Sequence, residues 1–155
     1  MKAIRVYACG GPDAMVLEDL PLPAPAKGQV LVAVKAAGVN LFDTQLRSGL
    51  YKRDLPLTLG LEGAGIVEAV GRDVADIAVG DRVAFIFAAG SYATHTLAPA
   101  ERVVPLPDKI GFEEAAAVLF QGLTRSDRRQ AASFTPPPAA AAFSCARLPK
   151  SAAQR

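Results

Sequence analysis

The chain has 155 residues, 51% of them apolar, with 17 Lys/Arg against 15 Asp/Glu and a net charge of +2. That length suits one domain with a real core rather than two of ordinary size. No apolar run reaches the roughly 18 residues of a membrane span, and MKAIRVYACGG lacks the apolar stretch of a secretory signal, so a cytoplasmic protein with no membrane partner is expected.

From Met1 to Leu106 the runs AIRVYA, MVLEDL, QVLVAVKAAGV, AGIVEAV, DRVAFIF, SYATHTL and RVVPL are separated by Gly, Pro and Asp. Short β-branched or alternating runs at this spacing predict a compact, mostly antiparallel β-domain. The turns fall at Gly10 to Asp13, Pro21 to Pro25 and Val79 to Asp81, where Gly tolerates positive φ and Pro fixes φ. Two stretches read as helical. NLFDTQLRS, from Asn40 to Ser48, opens on a good N-cap residue and is followed by Gly49. Phe112 to Leu123 forms an Ala/Glu/Leu helix with an interruption at Gly122.

After Thr124 neither a period of 2 nor one near 3.6 continues, and Pro136, Pro137 and Pro138 forbid a continuous helix. Residues 125–155 are therefore read as a disordered, low-complexity basic tail. The charge divides at the same place: residues 1–124 carry 11 Lys/Arg and 14 Asp/Glu, or −3, and residues 125–155 carry 6 and 1, or +5. The six basic residues are scattered, with only Arg128 and Arg129 adjacent, so no nucleic-acid partner is expected.

Cys9 and Cys145 have no CxxC spacing and read as incidental thiols, and the single histidine, His95, excludes catalysis by a His pair or a multi-His metal site. Gly60 to Glu68 contains GxGxx, yet a dinucleotide fingerprint needs a third small residue where Glu68 stands and a helix where IVEAV alternates like a strand. Glycines permitting a bulge or close packing in a bent strand are the better reading.

Five ordered blocks across residues 1–124 carry a resemblance: AAGVNLFDTQLRSGLY, LPLTLGLEGAGIVEAVG, VGDRVAF, a Gly-Ser-Tyr-Ala strand and LPDKIGFEEAAAVLFQGLT. They resemble the N-terminal catalytic half of the medium-chain dehydrogenases/reductases, in the zinc-free quinone oxidoreductase (zeta-crystallin-like) branch. The resemblance implies a mainly β fold with short helices, a GroES-like β-barrel of the alcohol dehydrogenase N-terminal type. In the family a Rossmann domain follows, and the active site lies in the cleft between the two. The resemblance further implies NADPH or NADH as cofactor, a quinone or enone as substrate, and possible homo-oligomers. Where zinc members carry a cysteine and a histidine ligand, this sequence has Asn40 and Leu61, so no metal is expected.

The same resemblance offers Asn40 and Tyr51 as donors to the substrate oxygen, with Asp43 and Arg47, one helical turn apart, as an orienting pair. Asn40 equally reads as an N-cap only, Asp43 and Arg47 as a surface ion pair, and Tyr51 as packing. Asn40, Gln45 and Thr124 are the positions implied to face the cofactor, although Gln45 falls where many quinone reductases have a tyrosine. Glu62 matches a carboxylate near the cleft or serves in a structural salt bridge. Tyr92 and His95, with opposite facing, are assigned to packing or surface.

The domain reading is 1–124 as the GroES-like catalytic domain and 125–155 as the tail. No strand, Gly-rich turn or βα unit follows Thr124, so the Rossmann domain is read as absent and cofactor binding by this chain alone as doubtful. Truncation or a shifted reading frame accounts for the change, a true linker or interaction tail being the other reading. The expected function is the substrate-side domain of an NAD(P)H-dependent quinone/enone oxidoreductase, inactive alone. The alternative is a non-catalytic GroES-like binding or subunit-pairing module.

Overall fold

The structure, a computed structural model, describes residues 1–88 and 90–130. Its strands are β1 (Lys2–Val6), β2 (Met15–Asp19), β3 (Gln29–Ala37), β4 (Leu57–Thr58), β5 (Glu62–Val70), β6 (Arg82–Ile86), β7 (His95–Pro99) and β8 (Val103–Pro105). Its α-helices are α1 (Leu41–Ser48) and α2 (Phe112–Gln130). Every strand pairing among the described residues is antiparallel, in a three-stranded sheet of order β2-β1-β4 and a five-stranded sheet of order β7-β3-β5-β6-β8.

The two sheets are joined rather than separate. Ala3 bridges Ala93, with Ile4 N–H donating to the Tyr92 carbonyl at 2.8 Å and Thr94 N–H to the Lys2 carbonyl at 2.8 Å. One continuous run of chain thus serves β1 through Tyr92–Thr94 and then β3 through β7, which is how an antiparallel sheet turns a barrel corner. The outcome is the partly open, GroES-like arrangement the sequence implies. It also explains why the expected strand SYATHTL begins as a ladder only at His95: its first residues pair with the other sheet.

The barrel interior is filled by alternate residues. Val30 and Val32 of β3, Val67 of β5, Val83 and Phe85 of β6 and Ala98 of β7 are buried together, Phe85 completely. On the opposite face of the same sheet the residues are small: Ala64 and Ala84 meet Ala115 and Ala116 of α2. Phe112, Ala115, Ala116 and Leu119 recur at the i, i+3, i+4, i+7 spacing of one helix face. α1 closes the third side through Leu46 and Phe42, packed with Val6 and Leu59.

The glycines of GLEGAG sit in and before β5, where close packing rather than phosphate binding explains them. A Cβ on Gly63 would lie 2.7 Å from the Ala36 carbonyl, one on Gly65 would overlap the Ala33 carbonyl, and the facing β3 ladder shifts register between Val34 and Ala36. α1 runs as expected, with Asn40 as N-cap and Gly49 in the left-handed region at φ 83°.

α2 corrects the expectation. It passes Gly122 without a break and ends at Gln130, beyond the Leu123 limit read from sequence. A helix-interior glycine costs about 1 kcal/mol relative to alanine, which Arg and Gln neighbours of good helix propensity offset. A first compact unit spans Met1–Gly122 and a second begins at Leu123. The disordered-tail expectation for 131–155 lies outside the described residues. No helix among the described residues is long and apolar enough to cross a membrane.

Candidate functional site

The site is built where β3 ends. After Ala37 the chain leaves the sheet through Gly38 and Val39, and Asn40 turns it into α1 with extended backbone angles of φ −121° and ψ 150°. This places the Asp43 side chain, three residues on, under the start of its own helix. Its Oδ2 accepts the Asn40 N–H at 2.9 Å and the Tyr92 hydroxyl at 3.0 Å, and its Oδ1 accepts the Gly60 N–H at 3.2 Å. One carboxylate, 2% exposed, thus ties together α1, the turn before β5 and the segment before β7.

A second buried carboxylate stands above the first. Glu62, the opening residue of β5 and 2% exposed, accepts the Asn40 Nδ2–H at 2.7 Å on Oε1 and the Phe120 backbone N–H at 3.1 Å on Oε2. Gln121 completes the set by donating from Nε2 to the Asn40 Oδ1 at 3.3 Å. The Asn40 amide is therefore oriented from both ends, and one of its two Nδ2 hydrogens has no partner among the described residues.

Burial dominates the electrostatics. It pushes the Asp43 carboxyl above its ordinary range although three donors pull the other way. It does the same to Glu62, with the Asp43 charge adding to it. The Tyr92 hydroxyl is raised far above its usual value, first by burial and then by the Asp43 charge. Gly60, at φ 94°, has to be glycine, because a Cβ there would overlap Ser91 and Tyr92.

Beside the network lies an open cleft of about 500 Å³, lined by residues 35–39 at and just past the end of β3, by Glu62, and by Glu113, Ala116 and Gln121 of α2. A Cβ on Gly38 would overlap the Glu62 carboxylate, so that glycine makes room for the side chain.

Of the residues picked out from sequence, Asn40 and Asp43 are brought together and Arg47 is not. The Arg47 Nε donates to the Gly10 carbonyl at 3.3 Å, because the Asp43 carboxylate has turned under the helix toward Gly60 and Tyr92. The expected Asp43–Arg47 pair is thereby corrected. Tyr51, 37% exposed, stacks at a tilt on Phe42 with ring centroids 5.1 Å apart. Gln45 is half-buried, and its carbonyl accepts the Leu50 N–H at 3.0 Å just past α1. Thr124 is exposed on α2.

Glu62 has no Lys or Arg partner among the described residues, so its expected structural ion pair is replaced by amide donors. Tyr92, expected to be packing, is also a network donor, and the only signal for it in the sequence is a tyrosine on an otherwise small-residue segment. Gln121 was not singled out, since a glutamine on a helix has no pattern to distinguish it. His95, read as packing or surface, is half-buried, its Nε2 3.1 Å from Glu68 and its Nδ1 3.0 Å from the Thr94 hydroxyl.

Residues 26–108 match the alcohol dehydrogenase GroES-like domain. The quinone oxidoreductase of Sus scrofa is 47% identical over 122 residues, covering 76% of this chain and 37% of that protein. The crystal structure of the Pseudomonas syringae pv. tomato quinone oxidoreductase superposes with a TM-score of 0.82 at 42% identity, covering 87% of this chain and 42% of that one. The Escherichia coli quinone oxidoreductase, solved in complex with NADPH, gives a TM-score of 0.83 at 37% identity over 88% of this chain and 43% of that one. The chain thus spans about two fifths of the length of the relatives it matches. With this barrel, this ordering of blocks and these relatives, the chain belongs to the medium-chain dehydrogenase/reductase superfamily as an N-terminal GroES-like domain of the quinone oxidoreductase branch.

Proposed function

We propose that this chain is the substrate-side domain of a cytoplasmic NAD(P)H-dependent quinone or enone oxidoreductase, and that alone it does not catalyse. The observation that carries the reading is the Asn40 amide, fixed between Glu62 and Gln121, which line the cleft, with one N–H uncommitted among the described residues. When a quinone or enone is reduced, negative charge grows on its oxygen, and a donor already aimed at that point stabilises the charge without reorganising. Asn40 supplies the first such donor and the Tyr51 hydroxyl, at the end of α1, the second. Asp43 acts through the backbone, by fixing the turn that carries Asn40.

The nicotinamide cofactor, when bound, supplies the hydride, and Asn40 and Gln45 are the residues of the first unit that would border it. Holding the two reactants in register provides much of the acceleration. The donor set does not fit a catalytic zinc ion: the Asn40 amide oxygen is neutral and already accepts from Gln121, and Leu61, 5% exposed, has no ligand atom. No step is assigned to a metal.

Replacing the matching segment of the Escherichia coli enzyme with residues 1–121 of this chain tests the reading. The chimera is expected to reduce 1,4-benzoquinone with NADPH, and Asn40→Ala within it to lower kcat by about 10²-fold, the usual loss for one oxyanion donor. A chimera that binds NADPH without reducing quinone, or an unchanged kcat in Asn40→Ala, would sink the proposal.

A further inference from the structure

Glu62 does more than line the cleft. Its two oxygens bind two different elements at once: Oε1 accepts from the Asn40 side chain at the head of α1, and Oε2 accepts the backbone N–H of Phe120 in α2. A helix-interior N–H ordinarily donates to the carbonyl four residues earlier, so a carboxylate meeting one from the side is a specific attachment. The residue after Phe120, Gln121, grips the other end of the same Asn40 amide. The Phe120 ring packs edge-on against Phe87 at 5.6 Å, and Gly38 leaves the space in which the carboxylate lies.

We propose that Glu62 is a positioning residue that couples α2 to Asn40, so that the Asn40 amide presents its free N–H only while α2 is seated. The inference rests on the donor role given to Asn40 above. Its physical basis is that both partners are N–H donors. An ionised carboxylate accepts both, whereas a protonated one puts a hydrogen on an oxygen that faces a donor and loses one of the two bonds. Asn40 and α2 should therefore uncouple together as Glu62 takes up a proton. The other titratable groups around it are Asp43 of α1, Tyr92, and Lys35 of β3 and Glu113 of α2 at the cleft. Burial places the Glu62 transition above the ordinary carboxylate range.

The test is a pH titration of the full chain by nuclear magnetic resonance, following the Phe120 backbone amide and the Asn40 side-chain amide. The expected result is that both shift with one shared midpoint above that of exposed glutamates, and that both shifts are lost in Glu62→Gln. A Phe120 amide that does not titrate, two separate midpoints, or titrations that survive in Glu62→Gln would overturn the coupling. Should Glu62→Gln fail to fold, Asp43→Asn decides the matter, since the shared titration persists there if Glu62 is its source and vanishes if Asp43 is. No catalysis enters this measurement, so the coupling can fail with the quinone chemistry intact, and the reverse.

Discussion

At the scale of single residues, the network trades charge stability for geometry. Asp43 makes three hydrogen bonds and is still harder to ionise than a free carboxyl, because burial outweighs them. A carboxyl that holds its proton more tightly folded than unfolded adds stability below its unfolded pKa, about 4, and loses that addition as pH rises through its folded value. Asp43→Asn removes the titration but turns its NH2 group either toward the Gly60 donor or toward the Asn40 and Tyr92 donors, at a cost of about 1–3 kcal/mol. Urea unfolding at a series of pH values should show the native chain more stable than the variant near pH 4, its lead shrinking as pH rises. A lead that grew with pH would mean the donors outweigh burial. Little of this was legible in the sequence. Asn40 and Asp43 announced themselves as a helix start, but their partners Glu62, Tyr92 and Gln121 lie 22, 49 and 81 residues from the residues they bond. Arg47 misled for the same reason: helical spacing places two residues on one face, and the turn beneath the helix draws the carboxylate elsewhere.

At the scale of elements, the contact between α2 and the five-stranded sheet depends on small residues. Ala84 is 1% exposed and faces Ala115 and Ala116, which are 6% and 3% exposed. Without large side chains between them, helix and sheet approach closely, and the Glu62 oxygen can reach a backbone N–H of the helix. Ala84→Leu would force extra methylenes into that contact and should cost about 1–3 kcal/mol in urea unfolding. The Ala115 and Ala116 amides should exchange faster while Val32 and Phe85 in the barrel interior keep their protection; uniform loss across both layers would show that α2 is not the element displaced. The strands themselves were readable, because alternation and turn residues are local signals: seven runs were expected, and each overlaps one of the observed strands. The strand missed, Leu57–Thr58, is two residues long and exists only because β1 has a free edge there. The late strand started further along than expected because a residue's choice of sheet is a tertiary matter.

At the scale of the whole molecule, the described residues hold no place for a dinucleotide's phosphates. Such sites use backbone N–H groups at a helix N-terminus that follows a parallel strand. Here all pairings among the described residues are antiparallel. Both helix N-termini already carry negative charge, Asp43 in the first turn of α1 and Glu113 and Glu114 in that of α2. A pyrophosphate would meet like charge at either one, and residues 1–124, at −3, repel it over a longer range. Titration calorimetry of the 155-residue chain with NADPH should therefore give no saturable heat at micromolar concentrations. The +5 of residues 125–155 can attract the anion loosely, so the titration is to be repeated at high salt, where loose attraction is screened and a built site persists. Saturable, salt-resistant binding of one NADPH per chain would require a phosphate site outside the described residues.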